Sequence, residues 1–188
     1  MDRATPFVVI VSQHPSGDEA ACGVPFSSAT GKKITGGYAA AFTDFTVYIT
    51  NAVRCRTSDN SPPKVKHKKA CLPHLASDLD SIFRYHHAAP RGIILCLGSV
   101  AVSSAFLWLN GSKVSLRSAL ANQPYPFQWH GKQRAICATN HPAAIQRNRN
   151  LLPSAQDHLR LAYAYLTDTL PTITHPAFIT PFHPRKAT

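Results

Sequence analysis

The chain has 188 residues, of which 44% are hydrophobic, which suits one globular domain with a real core and excludes a disordered polymer. Twenty Lys and Arg against nine Asp and Glu give a net charge of +11, which favours nucleic acid, although ribosome-like assemblies and anionic lipids also fit. No apolar run approaches the roughly 18–20 residues of a membrane helix. The run at residues 7–11 is too short for a signal peptide, so we expect a soluble, intracellular protein.

Four short β-type runs alternate with three helical segments. The runs lie at residues 7–12, 46–51, 92–97 and 134–139, and the helical segments lie at 64–83, 100–109 and 154–166. The first and third runs are continuously apolar, which is typical of strands covered on both faces. This order predicts an α/β fold, a three-layer α/β/α sandwich with a central four-stranded parallel sheet. We place the domain at residues 6–170 and a Pro-rich, basic C-terminal tail at residues 171–188.

The loop after the first predicted strand is rich in Gly, Pro and Ser. Ligands of open α/β sheets bind outside the carboxyl ends of the strands, so this loop is a place to look for chemistry. It runs from Ser12 to Glu19, the only Glu in the chain, and Gly-Val-Pro-Phe follows at residues 23–26. Such residues favour a tight loop that brings carboxylates and backbone N–H groups near a ligand, although ordinary surface turns have the same composition. No GxGxxG or Walker pattern is present, so a nucleotide cofactor is not indicated.

Polar residues also follow the second and fourth predicted strands. Asn51 offers one amide donor and one acceptor, which suits a nucleobase edge, although an Asn that caps the strand fits equally well. His141 precedes Pro142 and is therefore held in a restricted backbone, and Arg147 and Arg149 beyond it are suited to phosphates. Taken singly, His141 fits a structural role as well as a catalytic one.

Together these loops resemble the uracil-DNA glycosylase superfamily, most closely its iron–sulfur members, often called family 4. The first family motif, roughly Gly-Glu-Ala-Pro-Gly-x-Asp-Glu, then Gly-x-Pro-Phe and Ala-Gly, is matched in order at residues 11–19, 23–26 and 30–31. Further motifs are matched at residues 48–51 (Tyr-Ile-Thr-Asn), 97–98 (Leu-Gly) and 141–147 (His-Pro-Ala-Ala-x-x-Arg). Any one of these motifs is modest, but five in order at matching spacings, over residues 8–165, are specific.

The resemblance implies an enzyme of base-excision repair that flips uracil out of DNA and hydrolyses its N-glycosidic bond. By the family pattern, Phe26 would stack on the uracil and Asn51 would read its polar edge. His141 would hydrogen-bond the base as negative charge develops on it. Arg147 would contact phosphate, and Asp18 joins the predicted substrate-binding residues. The expected partner is uracil-containing DNA, bound by a monomer that does not associate with membranes.

The sequence departs from the family in its first motif. Gln13 replaces the family's Glu, and His14 follows it. Other glycosylases of the superfamily carry Gln-Asp-Pro at this place, with the Asp orienting water, so this chain keeps the Gln and lacks the Asp. Glu19 is then the predicted carboxylate, with Asp18 behind it, and His14 is an alternative base. The predicted catalytic residues are Glu19, His141, Gln13 and His14.

The cysteines form half of the family's cluster site. Iron–sulfur members need four Cys ligands, two of which normally precede the first strand, where this chain has six residues and no Cys. Cys55 and Cys71 are 16 positions apart, as in the family, and are the predicted metal ligands, or two inherited free thiols. Cys22 is a third ligand without family support. We therefore expect no cofactor, since a 4Fe–4S cluster would require ligands from elsewhere. The five Cys include no CxxC, so a secreted disulfide framework is not indicated.

A basic run, Lys-Val-Lys-His-Lys-Lys at residues 64–69, stands where the family is usually acidic. A solvated helix face is the ordinary interpretation of such a run, and contact with nucleic acid is the other.

Two alternatives to a uracil-DNA glycosylase stay open. One is a catalytically impaired glycosylase-fold protein that serves as a nucleic-acid-binding subunit of a larger assembly. The other is a glycosylase that prefers a different deaminated base.

Overall fold

A computed structural model describes residues 3–59 and 61–169 and contains a single five-stranded sheet in that part of the chain. The strands are β1 (Phe7–Ser12), β2 (Thr46–Asn51), β3 (Arg91–Leu97), β4 (Tyr125–Trp129) and β5 (Lys132–Thr139). Their order is β2-β1-β3-β5-β4, in which the first four are parallel and β4 is antiparallel to β5. The predicted α/β fold is confirmed, and the strand number is corrected from four to five.

The additional strand β4 is an edge strand held by a tight hairpin. Trp129 pairs with Lys132, so His130 and Gly131 form a two-residue turn. Both have a left-handed backbone, with φ of 46° and 74°, as such hairpin turns require. Pro126 lies within β4, and an edge strand tolerates the proline because one side of it has no hydrogen-bonding neighbour. Because β4 is short and contains a proline, the sequence shows no alternating hydrophobic pattern from which this strand could be predicted.

Helices cover both faces of the sheet. They are α1 (Gly17–Cys22), α2 (Ala29–Lys33), α3 (Val65–Tyr85), α4 (Gly98–Asn110), α5 (Leu116–Ala121), α6 (Pro142–Arg147) and α7 (Leu152–Leu166). A π-helical turn at Ile34–Tyr38 and 3₁₀ turns at Ala39–Phe42 and Arg149–Leu151 complete the helical elements of the described residues. The three long helices α3, α4 and α7 match the predicted helical segments, whereas the short ones carry too few turns for a hydrophobic period to be visible.

Two hydrophobic cores lie on opposite faces of the sheet. Val9 and Ile94 point into one of them, where they meet α3 and α4. Val8 and Ile93, their neighbours along β1 and β3, point into the other, where they meet α7. Because successive side chains of a strand point to opposite faces, two continuously apolar strands need cover on both sides. The three-layer arrangement is therefore confirmed.

The parallel strands β1, β2, β3 and β5 all end at the same edge of the sheet, which we call the carboxyl edge. The residues that follow these strands carry the predicted site. No helix in residues 3–59 and 61–169 has the length and apolar character needed to span a membrane. The predicted tail at residues 171–188 lies outside the described residues.

Candidate active site

His141 occupies the turn between β5 and α6 and acts as the N-cap of α6. Its Nδ1 accepts a hydrogen bond from the backbone N–H of Ala143 at 3.2 Å, so Nδ1 carries no proton. The proton of the neutral ring is therefore on Nε2, which donates to Ser12 Oγ at 3.2 Å. Burial, together with the charges of Arg147 and His14, lowers the pKa of His141 to about 4. His141 is thus an uncharged hydrogen-bond donor at neutral pH.

Gly98 gives the His141 side chain room at the end of β3. This strand lies between β1 and β5, so the ring of His141 has to cross its end to reach Ser12. Gly98 has a φ of 81°, and a Cβ built on it would stand 3.1 Å from the Cβ of His141. Glycine meets both requirements, since it adopts the left-handed backbone without strain and leaves the space open.

Several polar atoms at the carboxyl edge are buried without a hydrogen-bond partner among the described residues. They are His14 Nε2, Asn51 Oδ1, Gln123 Nε2 and Thr139 Oγ1. Asn51 and Thr139 end strands β2 and β5, and Gln123 is tied to the end of β5, since its Oε1 accepts from the N–H of Ala138 at 2.6 Å. An unpaired buried polar atom costs about 1–3 kcal/mol. These four atoms leave hydrogen-bonding capacity at the carboxyl edge that a polar ligand can satisfy.

Phe26 is held in an unusual backbone conformation by the start of α2. Its φ is 59°, in the left-handed region that few non-glycine residues adopt, and its side chain packs against the core on the α7 face. Gly31 of α2 lies directly beneath it, because a Cβ on Gly31 would stand 2.4 Å from the carbonyl carbon and oxygen of Phe26. The absence of a side chain at Gly31 therefore positions Phe26.

We expect Gly31→Ala to lower the free energy of unfolding by about 1–3 kcal/mol, because the new methyl group forces the Phe26 backbone out of place. Thermal or denaturant unfolding measures the change. Gly36→Ala is the matched control, since no atom lies within 4 Å of its Cβ position, and it should stay within about 0.5 kcal/mol of the original chain or gain slightly. Equal losses in the two variants would contradict the close approach at Gly31.

Glu19 lies in the first loop, and other residues of the chain already donate hydrogen bonds to its carboxylate. Glu19 Oε2 accepts from the N–H of Ser16 at 3.2 Å, as part of a capping box on α1. Its Oε1 accepts from both the N–H and the Oγ of Ser28, and the residue is 6% exposed. Glu19 thereby fastens both ends of the segment that carries Phe26. Its predicted catalytic role stays a prediction.

The other predicted residues differ in how closely they approach His141. His14 and Arg147 both lower the pKa of His141 through their charges, so each of them lies within electrostatic range of His141. The backbone of Gln13 lies beside β2, since its carbonyl accepts from the N–H of Val53 at 3.0 Å. Asp18 is exposed in the first turn of α1. The structure thus brings His14, His141 and Arg147 together and leaves Asp18 at the surface.

The cysteines of the described residues do not supply a four-thiolate site. Cys55 is exposed, and Cys71 is half-buried and packs against the core on the α3 face. Residues 3–59 and 61–169 contain no group of three or more His, Cys, Asp or Glu side chains that could hold a metal ion. These residues therefore do not fit an iron–sulfur cluster.

The basic run begins α3, and most of its side chains are exposed. Lys64, Lys66 and Lys69 are exposed, while the Nζ of Lys68 donates to Ser103 Oγ of α4 at 2.7 Å. The ion pairs between described residues are Arg54–Asp78, Arg91–Asp168 and Arg160–Asp157. None of these pairs involves the lysines of the run or Arg147 and Arg149. The exposed cations among them, which are Lys64, Lys66, Lys69, Arg147 and Arg149, are therefore available for an anionic partner.

The fold and the site define an α/β/α sandwich with a half-buried, neutral histidine and unpaired polar atoms at the carboxyl edge of the parallel strands. The chain belongs to the uracil DNA glycosylase superfamily, whose family model matches residues 2–167. The resemblance inferred from the motifs is thereby confirmed.

Curated relatives from three organisms are each named type-4 uracil-DNA glycosylase. The Pyrobaculum aerophilum relative is 30% identical over 157 residues, which cover 83% of this chain and 76% of the relative. The Archaeoglobus fulgidus relative is 30% identical over 139 residues, covering 73% and 66%. The Thermotoga maritima relative is 29% identical over 144 residues, covering 76% and 68%.

The sequence interpretation missed three residues of the carboxyl edge. Ser12 and Thr139 end predicted strands, and that position was the available signal for them. Gln123 had no such signal, because strand β4, which begins two residues after it, was not predicted. All three are at least nine-tenths buried. The burial of such polar residues cannot be recognised from the sequence alone.

Proposed function

We propose that this chain is a DNA glycosylase that flips uracil out of DNA and hydrolyses its N-glycosidic bond, as in base-excision repair. The observation that carries the proposal is the His141 donor. Its imidazole is neutral, its Nε2–H points at Ser12 Oγ, and its Nδ1 is engaged by Ala143. The names of the related proteins support the same activity.

Bond cleavage leaves the electron pair of the glycosidic bond on the departing base. The negative charge spreads from N1 of uracil to its O2, where a fixed hydrogen-bond donor stabilises it more than it stabilises the bound substrate. His141 supplies such a donor without a full positive charge. The bond from Ala143 to Nδ1 keeps the proton on Nε2, and this N–H turns from Ser12 Oγ to the base when the charge develops.

Asn51 and Phe26 recognise the flipped uracil. Uracil presents an acceptor, O4, beside a donor, N3–H, and a primary amide pairs with both through its NH₂ and its oxygen. Asn51 Oδ1 is buried without a partner in the described residues, so it is free to accept from N3–H. Phe26 offers a ring for stacking on the flipped base, which offsets part of the cost of extrusion. Cytosine carries the opposite pattern at these two positions and is rejected.

The basic side chains hold the DNA. Arg147 and Arg149 follow the His141 turn, and Lys64, Lys66 and Lys69 project from the start of α3. Each contact with a phosphate releases condensed counterions and adds affinity that does not depend on base sequence. The binding free energy of these contacts offsets the free energy that is required to flip the base out of the DNA.

The test is release of uracil from an oligonucleotide that contains one deoxyuridine, single- or double-stranded, with the enzyme in excess. We expect alkali-labile sites at the uracil and none in oligonucleotides with thymine or cytosine at that place. Binding without cleavage at stoichiometric enzyme would overturn the proposal in favour of the impaired nucleic-acid-binding alternative. Cleavage at hypoxanthine or xanthine with none at uracil would replace uracil as the substrate.

A further inference from the structure

The proposed hydrolysis needs a group that takes a proton from the attacking water. Gln13 cannot serve, because a neutral amide has no basic lone pair at ordinary pH. Glu19 is a poor choice, since its carboxylate already accepts hydrogen bonds from Ser16 and from both the N–H and the hydroxyl of Ser28. The general base is therefore another residue of the carboxyl edge.

His14 has one nitrogen committed to the backbone and one free. Its Nδ1 lies 2.8 Å from the carbonyl oxygen of Pro15. A carbonyl oxygen only accepts, so Nδ1 carries the proton of the neutral ring, and Nε2 keeps its lone pair. This Nε2 is buried and has no hydrogen-bond partner among the described residues. It is an acceptor that requires a donor, and a water molecule provides one.

His14 and His141 present opposite tautomers to the same region. His14 lies two residues beyond Ser12, whose Oγ is bonded to His141 Nε2, and His14 in its protonated form is near enough to lower the pKa of His141. The backbone bond to Pro15 leaves His14 Nε2 as an acceptor, while the bond from Ala143 leaves His141 Nε2 as a donor. An acceptor for a water proton and a donor for a leaving group are the two functions that this hydrolysis requires.

We propose that His14 is the general base that activates the hydrolytic water, in place of the carboxylate that the first motif lacks; this assignment rests on the proposed glycosylase function. The C1′–N1 bond breaks and its electron pair stays on N1 of uracil, next to the His141 donor. The water oxygen forms a bond to C1′ while one water proton moves to His14 Nε2. The proton then passes to the uracil anion or to solvent, and the products are uracil and an abasic deoxyribose.

His14→Asn is the sharpest test, because the Asn amide nitrogen takes the place of Nδ1 and keeps the hydrogen bond to Pro15, while nothing replaces Nε2. We expect its single-turnover rate of uracil release to fall by about 10²–10⁴-fold, the usual contribution of a general base. Affinity for the uracil oligonucleotide should change by less than about threefold, since a base acts on the chemical step and not on uniform binding.

Two further variants separate a base from a structural residue. Added imidazole should restore part of the rate of His14→Ala, because it supplies a lone pair in the vacated space, and should not affect His141→Asn. His14→Asp should keep a rate within about tenfold of the original, since a carboxylate also offers a lone pair that takes a proton from water. Circular dichroism checks the folding of each variant.

Glu19→Gln tests the competing assignment and keeps the size of the side chain. A loss of rate in Glu19→Gln as large as that expected for His14→Asn, with His14→Asn unchanged, would overturn our assignment in favour of Glu19. An original chain that cleaves uracil while His14→Asn cleaves at the same rate would overturn the base assignment alone. An original chain that binds uracil DNA without cleaving it would overturn the proposed function, and the base assignment with it.

Discussion

His141→Asn is expected to lower the single-turnover rate of uracil release by about 10²–10³-fold, the usual effect of losing one donor to a developing anion. The Asn oxygen takes the place of Nδ1, so it can still accept from the N–H of Ala143 and cap α6. The Nε2–H that faces Ser12 is lost. The variant therefore removes the donor and retains the fold, and quenched-flow or gel assays of uracil release measure the difference.

His87→Ala is the matched control, because His87 is an exposed histidine that precedes β3 and thus lies away from the carboxyl edge. It should release uracil at the original rate. If His141→Asn also kept that rate with uracil bound, the donor role of His141 would be wrong and the histidine would serve α6 alone.

The depressed pKa of His141 has a consequence for the pH profile of activity. Because its pKa in the folded protein is about 4, the neutral donor persists from alkaline pH down to that value. An acidic limb of the profile that lies well above pH 4 must therefore come from a group other than His141. In His141→Asn this limb should keep its position, although the rate is lower throughout.

The same pKa links His141 to stability. An unfolded histidine has a pKa of about 6.5, so between that value and about 4 the unfolded chain binds the proton and the folded chain does not. Stability therefore falls as the pH falls through this window. The variant His141→Asn lacks the titrating group, and its unfolding should depend less steeply on pH there.

Asn51→Ala is expected to lower the rate of uracil release by about 10²-fold or more, since the two hydrogen bonds to the base are worth about 1–2 kcal/mol each. Asn51→Asp keeps the shape and places a negative charge beside O4 and the developing uracil anion. We expect a loss at least as large, because like charges repel strongly in a buried site. Single-turnover rates and binding of free uracil measure both effects.

Gln133→Ala is the control for Asn51, because Gln133 is an exposed amide near the start of β5, at the opposite edge of the sheet. It should leave the rate unchanged. If Asn51 served only to cap β2, Asn51→Ala would lower the melting temperature and leave uracil discrimination intact. That outcome would remove Asn51 from the recognition site.

Much of the fold follows from local patterns in the sequence. The runs in β1 and β3 are apolar at every position, and only a sheet covered on both faces accommodates them. The helix α3 shows Leu75, Leu79 and Phe83 at the spacing of a single buried face. Strand β4 lacks such a pattern, because its pairing depends on the hairpin turn at residues 130–131 and on the neighbouring strand β5.

Glu19 shows where the sequence-based prediction of the site reached its limit. A lone Glu in the first loop is the natural candidate for a catalytic carboxylate, and its position in the chain is all that the sequence reveals. The side-chain direction depends on Ser28, nine residues further on, which the fold brings against the carboxylate. Hydrogen bonds between residues at this separation depend on how the whole loop closes.

The ordered motifs therefore determined the family by themselves, and together with the net charge of +11 they predicted a nucleic-acid partner and the edge of the sheet where we expect the site. Residue types and spacings are local quantities, so the chain carries them directly. Only the tertiary structure decided that His141 is neutral, that His14 has a free lone pair and that Glu19 is engaged. Protonation states and hydrogen-bond partners depend on burial and on atoms from distant parts of the chain, which meet only when the protein folds.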